Sequence, residues 1–299
     1  MKHKILLLPD ISNWAWGIKS KYIQKYLSDE FDVDVVHLDE GQKVPKDKDY
    51  SIYMTFTVSH LYHVRMFPIN KLIGGATSHA CYRRMVNTKD LRDRCAALHF
   101  NSMFLYKEAL HNNNHDKNKI YYCPNGVDCN LFKPTYKKLG KDLVVGFVGK
   151  TNSTKGFNEY IKPAAESCSN TILKPCTASW KTARSIDKMP QYYNEIDVYI
   201  CASINEGTPN PCLEAAACGK TIISTRVGNM PEFIDNGING YLIDRKIDRI
   251  RDRINYFNRN RSKLIRMQEA ARKTAEQWDW KIQAENYRKM FRDVIKNQK

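Results

Sequence analysis

Eleven short apolar runs alternate with polar or amphipathic stretches along this 299-residue chain, and no other feature of the sequence constrains its fold as strongly. The runs are KILLL, VDVVHL, YSIYMTF, KLIGG, ALHF, KIYYC, LVVGFVG, TILKP, DVYICAS, KTIIST and GYLID. Strands that are separated by crossover helices pair in parallel. The sequence therefore predicts an α/β fold built on parallel sheets.

A turn-rich segment at 124–142, PNGVDCNLFKPTYKKLGKD, separates the first six runs from the last five. A break near residue 138 predicts one Rossmann-like domain over 1–138 and a second over 139–278. After Lys246 only helical periodicity remains, so we expect a terminal helix over 279–299.

The chain offers few signs of export or of metal binding. Its N-terminal apolar run, Ile5 to Leu8, is too short for a signal-peptide core, so we expect a cytoplasmic protein. Nine cysteines without a CxxC pair favour reduced thiols, with no disulfide framework and no metal site.

The formal net charge of +16 is unevenly distributed. Residues 1–140 carry +7, residues 141–244 carry −1, and residues 245–299 carry +10. Seven Lys and Arg residues lie between Arg65 and Arg94, against two Asp. This cluster predicts either a surface for an anionic partner or ordinary solvated surface.

Two strand-to-helix junctions in the second half carry the chemistry. Ligands of doubly wound domains bind beyond the carboxyl ends of the strands, where helix N-termini attract phosphate. At the first junction, VVGFVGKTNSTKG, a strand leads into a loop with Lys150 and Lys155. At the second, NEGTPNPCLEAAACGK, Glu206 lies in the loop and Glu214 one turn into a helix.

The residues around Glu214 indicate how that helix begins. Asn210 is the expected N-cap and Pro211 the expected first helical residue. Two carboxylates at such a site can accept hydrogen bonds from the vicinal hydroxyls of a ribose or another sugar, and two lysines can hold a diphosphate. Alternatively, Glu214 complements its helix dipole, Glu206 is a turn residue, and the lysines are surface charges.

Several ordered motifs over residues 121–299 resemble the retaining glycosyltransferases of family 4. Residues 206–219, EGTPNPCLEAAACG, are similar to the family signature E-G-(F)-(G)-x-P-x-x-E-A-x-A-x-G. The other segments that resemble family motifs are PNGVDCNLFKP, FVGKTNSTKG, TIISTRVGNMPEFIDNGINGYLI and WDWKIQAENYRKMF. The first 120 residues match only in their strand pattern.

The resemblance implies a GT-B fold, in which two Rossmann-like domains face each other across a cleft and a C-terminal helix packs back on the N-domain. It implies a retaining transfer of a sugar from a nucleotide-sugar donor to an acceptor hydroxyl. No D-x-D loop is evident, because Asp32 and Asp34 fall in a strand pattern, so we expect no metal and no other cofactor.

The resemblance also assigns the site residues. It implies that Lys150 and Lys155 bind the donor diphosphate, that Glu206 binds hydroxyls of the donor sugar, and that Glu214 binds the ribose diol. The loop that would wrap the sugar and the pyrophosphate consists of Gly207, Thr208, Pro209 and Asn210. The candidate catalytic set is Glu206, Lys155, Lys150 and His79.

Four further residues are assigned to the donor site, and one of them has a plain alternative. His79 would approach the donor sugar, or is an ordinary packed histidine. Gly149 and Gly17 would lie against the donor, although the family has a glycine pair where this chain has Gly17 beside Trp14 and Trp16. Trp180 would stack on the base.

Three functions remain open. The first is a glycosyltransferase acting on a lipid-linked glycan or a polysaccharide, peripheral at the inner face of an anionic membrane. The second is a transferase acting on hydroxymethylated bases in DNA, in which the basic charge would bind phosphate. The third is a non-catalytic subunit that binds nucleotide sugar.

Overall fold

The computed structural model describes residues 2–45, 49–87, 95–112, 116–135, 138–177 and 184–298. The chain divides into two compact units. The first unit contains Met1–Asn125 and Trp280–Lys299, and the second contains Gly126–Asp279. Each unit has its own parallel sheet, as the alternation of apolar runs predicts.

The first unit is built on a six-stranded sheet with the order β2-β1-β3-β4-β5-β6. Its strands are β1 (His3–Leu8), β2 (Phe31–Val35), β3 (Ile52–Thr55), β4 (Leu72–Ala76), β5 (Ala97–Phe100) and β6 (Ile120–Tyr122). Its helices are α1 (Ala15–Leu27), α2 (His79–Asn87), α3 (Met103–His111) and the C-terminal helix. Every strand pair is parallel, because helices or long loops cross over between the strands.

Two glycine-containing segments of this unit are explained by close packing. A Cβ on Gly75, in β4, would lie 2.2 Å from the ring of the buried His99 on β5. A Cβ on Gly17, in α1, would lie 2.1 Å from the carbonyl oxygen of Ile11. Close packing against the His99 ring accounts for Gly75, and close packing against the preceding backbone accounts for Gly17.

The second unit is built on a five-stranded sheet with the order β11-β10-β9-β7-β8. Its strands are β7 (Leu143–Gly149), β8 (Thr171–Thr177), β9 (Val198–Cys201), β10 (Thr221–Thr225) and β11 (Gly240–Ile243). Its helices are α4 (Lys162–Glu166, after a π-helical turn at Phe157–Ile161), α5 (Met189–Glu195), α6 (Asn210–Ala217), α7 (Met230–Phe233), α8 (Ile247–Arg259) and α9 (Arg261–Gln277).

The C-terminal helix α10 (Trp280–Lys296) packs in the first unit, as predicted. Its buried face contacts α1, and the Tyr287 hydroxyl donates a hydrogen bond to the carbonyl oxygen of Cys123 (2.7 Å). Arg288 forms ion pairs with Asp29 (3.1 Å) and Glu30 (2.8 Å) after α1. Apolar burial and these ion pairs together fix the chain terminus on this unit.

The first unit ends at Asn125, thirteen residues before the boundary that the turn-rich segment predicted. The reason lies in hydrogen bonds with the end of α9. The Val127 amide donates to the carbonyl oxygen of Trp278 (2.9 Å), and the Cys129 amide donates to Asp279 Oδ2 (3.0 Å). Arg272 also donates to the carbonyl oxygen of Phe132 (2.8 Å). Most of this segment is therefore packed structure of the second unit.

Candidate active site

The candidate site lies at the carboxyl ends of β7 and β9 in the second unit. These two strands are neighbours, and the chain leaves β7 toward β8 on one side and reaches β9 on the other. Such a reversal of strand order opens a crevice where ligands of α/β sheets bind. The loops that follow the two strands carry the predicted lysines and Glu206.

Lys155 and Glu206 form an ion pair across these loops, between Nζ and Oε1. The Ser203 hydroxyl donates a second hydrogen bond to Oε1 of Glu206 (2.7 Å). The side chains of Lys155 and Glu206 are only 29% and 13% exposed, so the pair is shielded from solvent. Burial favours a lower pKa of Lys155, but the Glu206 carboxylate outweighs it and holds this pKa above its ordinary value.

Arg245, which follows β11, joins the two loops. Its Nε donates to the carbonyl oxygen of Ala202 after β9 (2.7 Å), and its Nη2 donates to the carbonyl oxygen of Ser153 after β7. Beside it, Gly156 has φ +66°, and a Cβ there would lie 2.8 Å from both the Ala202 oxygen and Arg245 Nη2. The planar guanidinium thus fixes the Lys155 loop against the Glu206 loop.

Glu214 lies in α6 and accepts a hydrogen bond from the hydroxyl of Tyr193 on α5, at its Oε2 atom (2.6 Å). Burial raises the pKa of Glu214 to about 7, and the Tyr193 hydrogen bond acts in the opposite direction. A partly buried carboxyl group with one fixed donor can accept further hydrogen bonds only from a ligand or from water.

The start of α6 differs from the predicted cap. Asn210 is the first helical residue and Pro209 is the N-cap, so Pro211 is the second helical residue. The Asn210 amide donates to the carbonyl oxygen of Thr208 (2.9 Å), which tightens the turn and starts the helix one residue early. The prediction that Asn210 caps the helix was therefore wrong by one position.

The Gly207–Asn210 loop packs against the segment after β10. Gly228 has φ +52°, and a Cβ there would lie 2.2 Å from the carbonyl oxygen of Gly207. Only glycine allows this approach without moving one of the two backbones. The loop therefore packs against the segment after β10 at Gly207 and continues into α6 at Asn210.

The remaining predicted site residues lie at several places. Lys150 is exposed directly after β7, next to Gly149, whose φ of +139° favours glycine. His79 is the first residue of α2 in the first unit, with its ring 4.9 Å from that of Phe104. Trp180 lies outside the described residues. Whether His79 or Gly17 contacts a donor stays a prediction.

The Trp16 side chain beside Gly17 packs inside the first unit. Its ring lies against Phe56 (centroids 6.3 Å apart) and His60 (5.4 Å), and its Nε1 donates to the Thr77 hydroxyl (3.2 Å). These contacts lie within the first unit.

Three residues that shape the site were missed by the sequence analysis: Ser203, Tyr193 and Arg245. Tyr193 and Arg245 come from other elements of the second unit, so no local spacing marks them. Ser203 lies three residues before Glu206 in the same loop. Only Ser203 gave a usable signal, because a hydroxyl residue just beyond the end of a strand lies at the ligand-binding edge of a sheet.

Within the residues that the structure describes, no group of three or more His, Cys, Asp and Glu side chains is arranged to hold a metal ion. Each helix in the same ranges is too short or too polar to cross a bilayer.

Residues 178–274 match the family model for glycosyl transferases group 1. The matched range includes Glu206 and Glu214. It also includes the segment at 221–243 that resembles a family motif.

Curated relatives are similar over part of the chain. The D-inositol 3-phosphate glycosyltransferase of Corynebacterium glutamicum (strain R) is 24% identical over 256 residues, which is 72% of this chain and 61% of that protein. The N,N'-diacetylbacillosaminyl-diphospho-undecaprenol alpha-1,3-N-acetylgalactosaminyltransferase of Campylobacter jejuni is 30% identical over 102 residues, which is 34% of this chain and 27% of that protein. The chain thus spans less than two thirds of the length of these relatives.

Solved structures are similar over nearly the whole chain. Sucrose-phosphate synthase from Thermosynechococcus elongatus has a TM-score of 0.82 at 13% identity, over 99% of this chain and 100% of that one. Anabaena HepE in complex with UDP and glucose has a TM-score of 0.75 at 16% identity, over 96% and 98%. These likenesses confirm the predicted GT-B fold class.

Proposed function

We propose that this chain is a retaining glycosyltransferase that moves a sugar from a nucleoside diphosphate donor to an acceptor hydroxyl. One observation carries the proposal. A cation and two carboxylates, each with a fixed hydrogen-bond partner, lie at the loops after β7 and β9, and both carboxylates fall in the segment that matches the family model.

Lys155 and Lys150 are the groups that bind the donor diphosphate. Departure of the nucleoside diphosphate builds negative charge on its phosphate oxygens, and a fixed ammonium stabilises that charge. Lys155 remains protonated at neutral pH, because the Glu206 carboxylate holds its pKa above the ordinary value. An ammonium group has three donors, so Lys155 can contact phosphate while it contacts Glu206.

The two carboxylates bind hydroxyls. Glu206 accepts hydrogen bonds from the donor sugar, and its bonds to Lys155 and Ser203 fix the carboxylate before the sugar binds. Glu214 accepts hydrogen bonds from the ribose diol. The acceptor oxygen attacks the anomeric carbon on the face that the diphosphate leaves, through an oxocarbenium-like state, so the anomeric configuration is retained.

We propose that the transfer needs no metal. The lysines supply the positive charge and the hydrogen-bond donors that a cation would otherwise provide. A chelator should therefore leave the transfer reaction unchanged.

For the acceptor we propose a lipid-linked glycan or a polysaccharide. In support, the Campylobacter jejuni relative is named for a diphospho-undecaprenol acceptor. In the first unit of this chain, Tyr62 and Met66 are 57% and 60% exposed, and the Arg65 guanidinium lies 4.0 Å from the Tyr62 ring centroid. Apolar and cationic side chains side by side suit the surface of an anionic membrane.

The test is the release of nucleoside diphosphate from uridine, guanosine, adenosine, cytidine and thymidine diphosphate sugars, with chelator present. Each donor is tested alone, with a lipid-linked glycan acceptor and with hydroxymethylated DNA. Release from one donor without DNA supports the proposal. Release that depends on DNA would instead make a hydroxymethylated base the acceptor. Failure of every donor to bind would refute the function and favour a scaffold.

A further inference from the structure

Tyr193 contacts Glu214 from a helix that carries none of the predicted ligand-binding residues. We propose that Tyr193 is a positioning residue, which holds the Glu214 carboxylate in its charged form and in the orientation that accepts the ribose hydroxyls of the donor. The inference rests on the proposed function of Glu214 and goes beyond it by assigning what controls that residue. The carrying contact is the 2.6 Å hydrogen bond from the Tyr193 hydroxyl to Glu214 Oε2.

The position of the Tyr193 hydroxyl is fixed by packing. The side chain is fully buried on α5 and belongs to the core of the second unit. Its ring centroid lies 5.4 Å from that of Tyr192, 6.0 Å from that of Phe132 and 6.2 Å from that of Tyr199. A ring enclosed in this way cannot turn aside, so the hydroxyl stays aimed at Glu214.

The hydrogen bond leaves one carboxylate oxygen for the ligand. Oε2 of Glu214 is bonded to Tyr193, and Oε1 can accept from a ribose hydroxyl. A carboxylate accepts such bonds more strongly than a neutral carboxyl group. Binding of a ribonucleotide should therefore strengthen as the pH rises and Glu214 loses its proton.

Glu214 titrates near neutral pH, whereas Tyr193 and Cys218 beside it do not. Burial raises the pKa of Glu214 to about 7, and the Tyr193 bond lowers it. Burial also raises the pKa of Tyr193 well above its ordinary value, and it raises the pKa of Cys218, the residue after α6, to about 12. Both therefore stay protonated between pH 5.5 and 8.5, and Tyr193 remains a donor throughout about this range.

The experiment compares wild type with Tyr193→Phe by calorimetric titration between about pH 5.5 and 8.5. The probes are UDP, GDP, ADP and CDP, and then the 2′,3′-dideoxy form of the one that binds wild type most tightly. In wild type, ribonucleotide affinity should rise with pH, with a midpoint near 7 that follows the pKa of Glu214. In Tyr193→Phe, the midpoint should move to higher pH and affinity at pH 7 should fall by about tenfold. Affinity for the dideoxy form should change by less than about twofold, because that ligand has no hydroxyl for Glu214.

Tyr199→Phe is the matched control. Tyr199 is buried in the same aromatic cluster, but its hydroxyl donates to the carbonyl oxygen of Val148 (3.3 Å) and not to a carboxylate. The Tyr199→Phe variant should leave the pH midpoint of ribonucleotide binding unchanged.

Two results would overturn the inference: a midpoint that does not move in Tyr193→Phe, or an equal loss of affinity for the ribose and dideoxy ligands. If Tyr193→Phe fails to fold, 3-fluorotyrosine incorporated throughout the protein serves instead. It makes the phenol a stronger donor without changing its packing, so the midpoint should fall, and an unmoved midpoint would reject Tyr193. Absence of nucleotide binding by wild type would instead refute the proposed function itself.

Discussion

Replacement of Glu206 by alanine should abolish transfer while the protein remains folded. Glu206 accepts hydrogen bonds from Lys155 and Ser203, and alanine removes both. Breaking a fully buried ion pair costs about 3–5 kcal/mol. Lys155 is 29% exposed and can turn toward water, so we expect a smaller loss of about 1–2 kcal/mol. For a chain of this size, the melting temperature should fall by about 2–6 °C.

The effect on activity should be far larger. If Glu206 binds the donor sugar where charge develops, its loss should lower kcat by about 10²–10³-fold, as for the loss of a single preorganised group at an active site. Glu206→Gln keeps the shape of the side chain and its contact with Ser203 but loses the negative charge. Its melting temperature should therefore stay near that of wild type, while its turnover should fall.

The assay is nucleoside diphosphate release from the accepted donor, together with a thermal melt followed by circular dichroism. Glu195→Gln is the matched control, since the Lys174–Glu195 ion pair lies in the same unit with both side chains about 40% exposed. It should cost about 0–1 kcal/mol and leave turnover unchanged. Turnover of Glu206→Ala near that of wild type would refute the assignment of the site.

Three further outcomes can be checked directly. Arg245→Lys should lower kcat/KM by about tenfold with normal circular dichroism, because an ammonium cannot bridge Ala202 and Ser153 as the guanidinium does; unchanged kinetics would contradict this role. Chelator should not inhibit the reaction, and a strict requirement for Mg²⁺ or Mn²⁺ would exclude the metal-free proposal. Lys19→Met should stabilise the protein by about 1–4 kcal/mol, because burial lowers the pKa of Lys19 to about 7. Since unfolding returns that pKa to its ordinary value, wild type gains stability as the pH rises from about 7 to 10, and the advantage of the methionine should be greatest below about pH 7. Chemical unfolding at several pH values measures it, and a gain that grows with pH would contradict the sign.

The eleven strands of the described residues were predictable from the sequence because each overlaps a short apolar run. LVVGFVG and ALHF even match the observed bounds of β7 and β5. Parallel strands are covered on both faces, so their residues are apolar almost without interruption, and this pattern survives in a single sequence.

The boundary between the units was less predictable. A segment rich in Pro, Gly and Asn indicates turns, and turns resemble linkers. Whether such a segment is a linker depends on what it contacts, and here Val127 and Cys129 bond to residues at the end of α9, some 150 positions later in the chain.

The sequence by itself determined the fold class, because strand periodicity is a local property. It also predicted candidate carboxylates and lysines from their resemblance to family motifs, and their roles as ligands stay predictions. Only the tertiary structure decided which groups control those residues. Ser203 lies only three residues before Glu206, but Tyr193 and Arg245 reach the site from α5 and from the end of β11. Contacts of this kind depend on the order of strands in the sheet, which brings distant segments to one edge, and no pattern along the chain encodes that order directly.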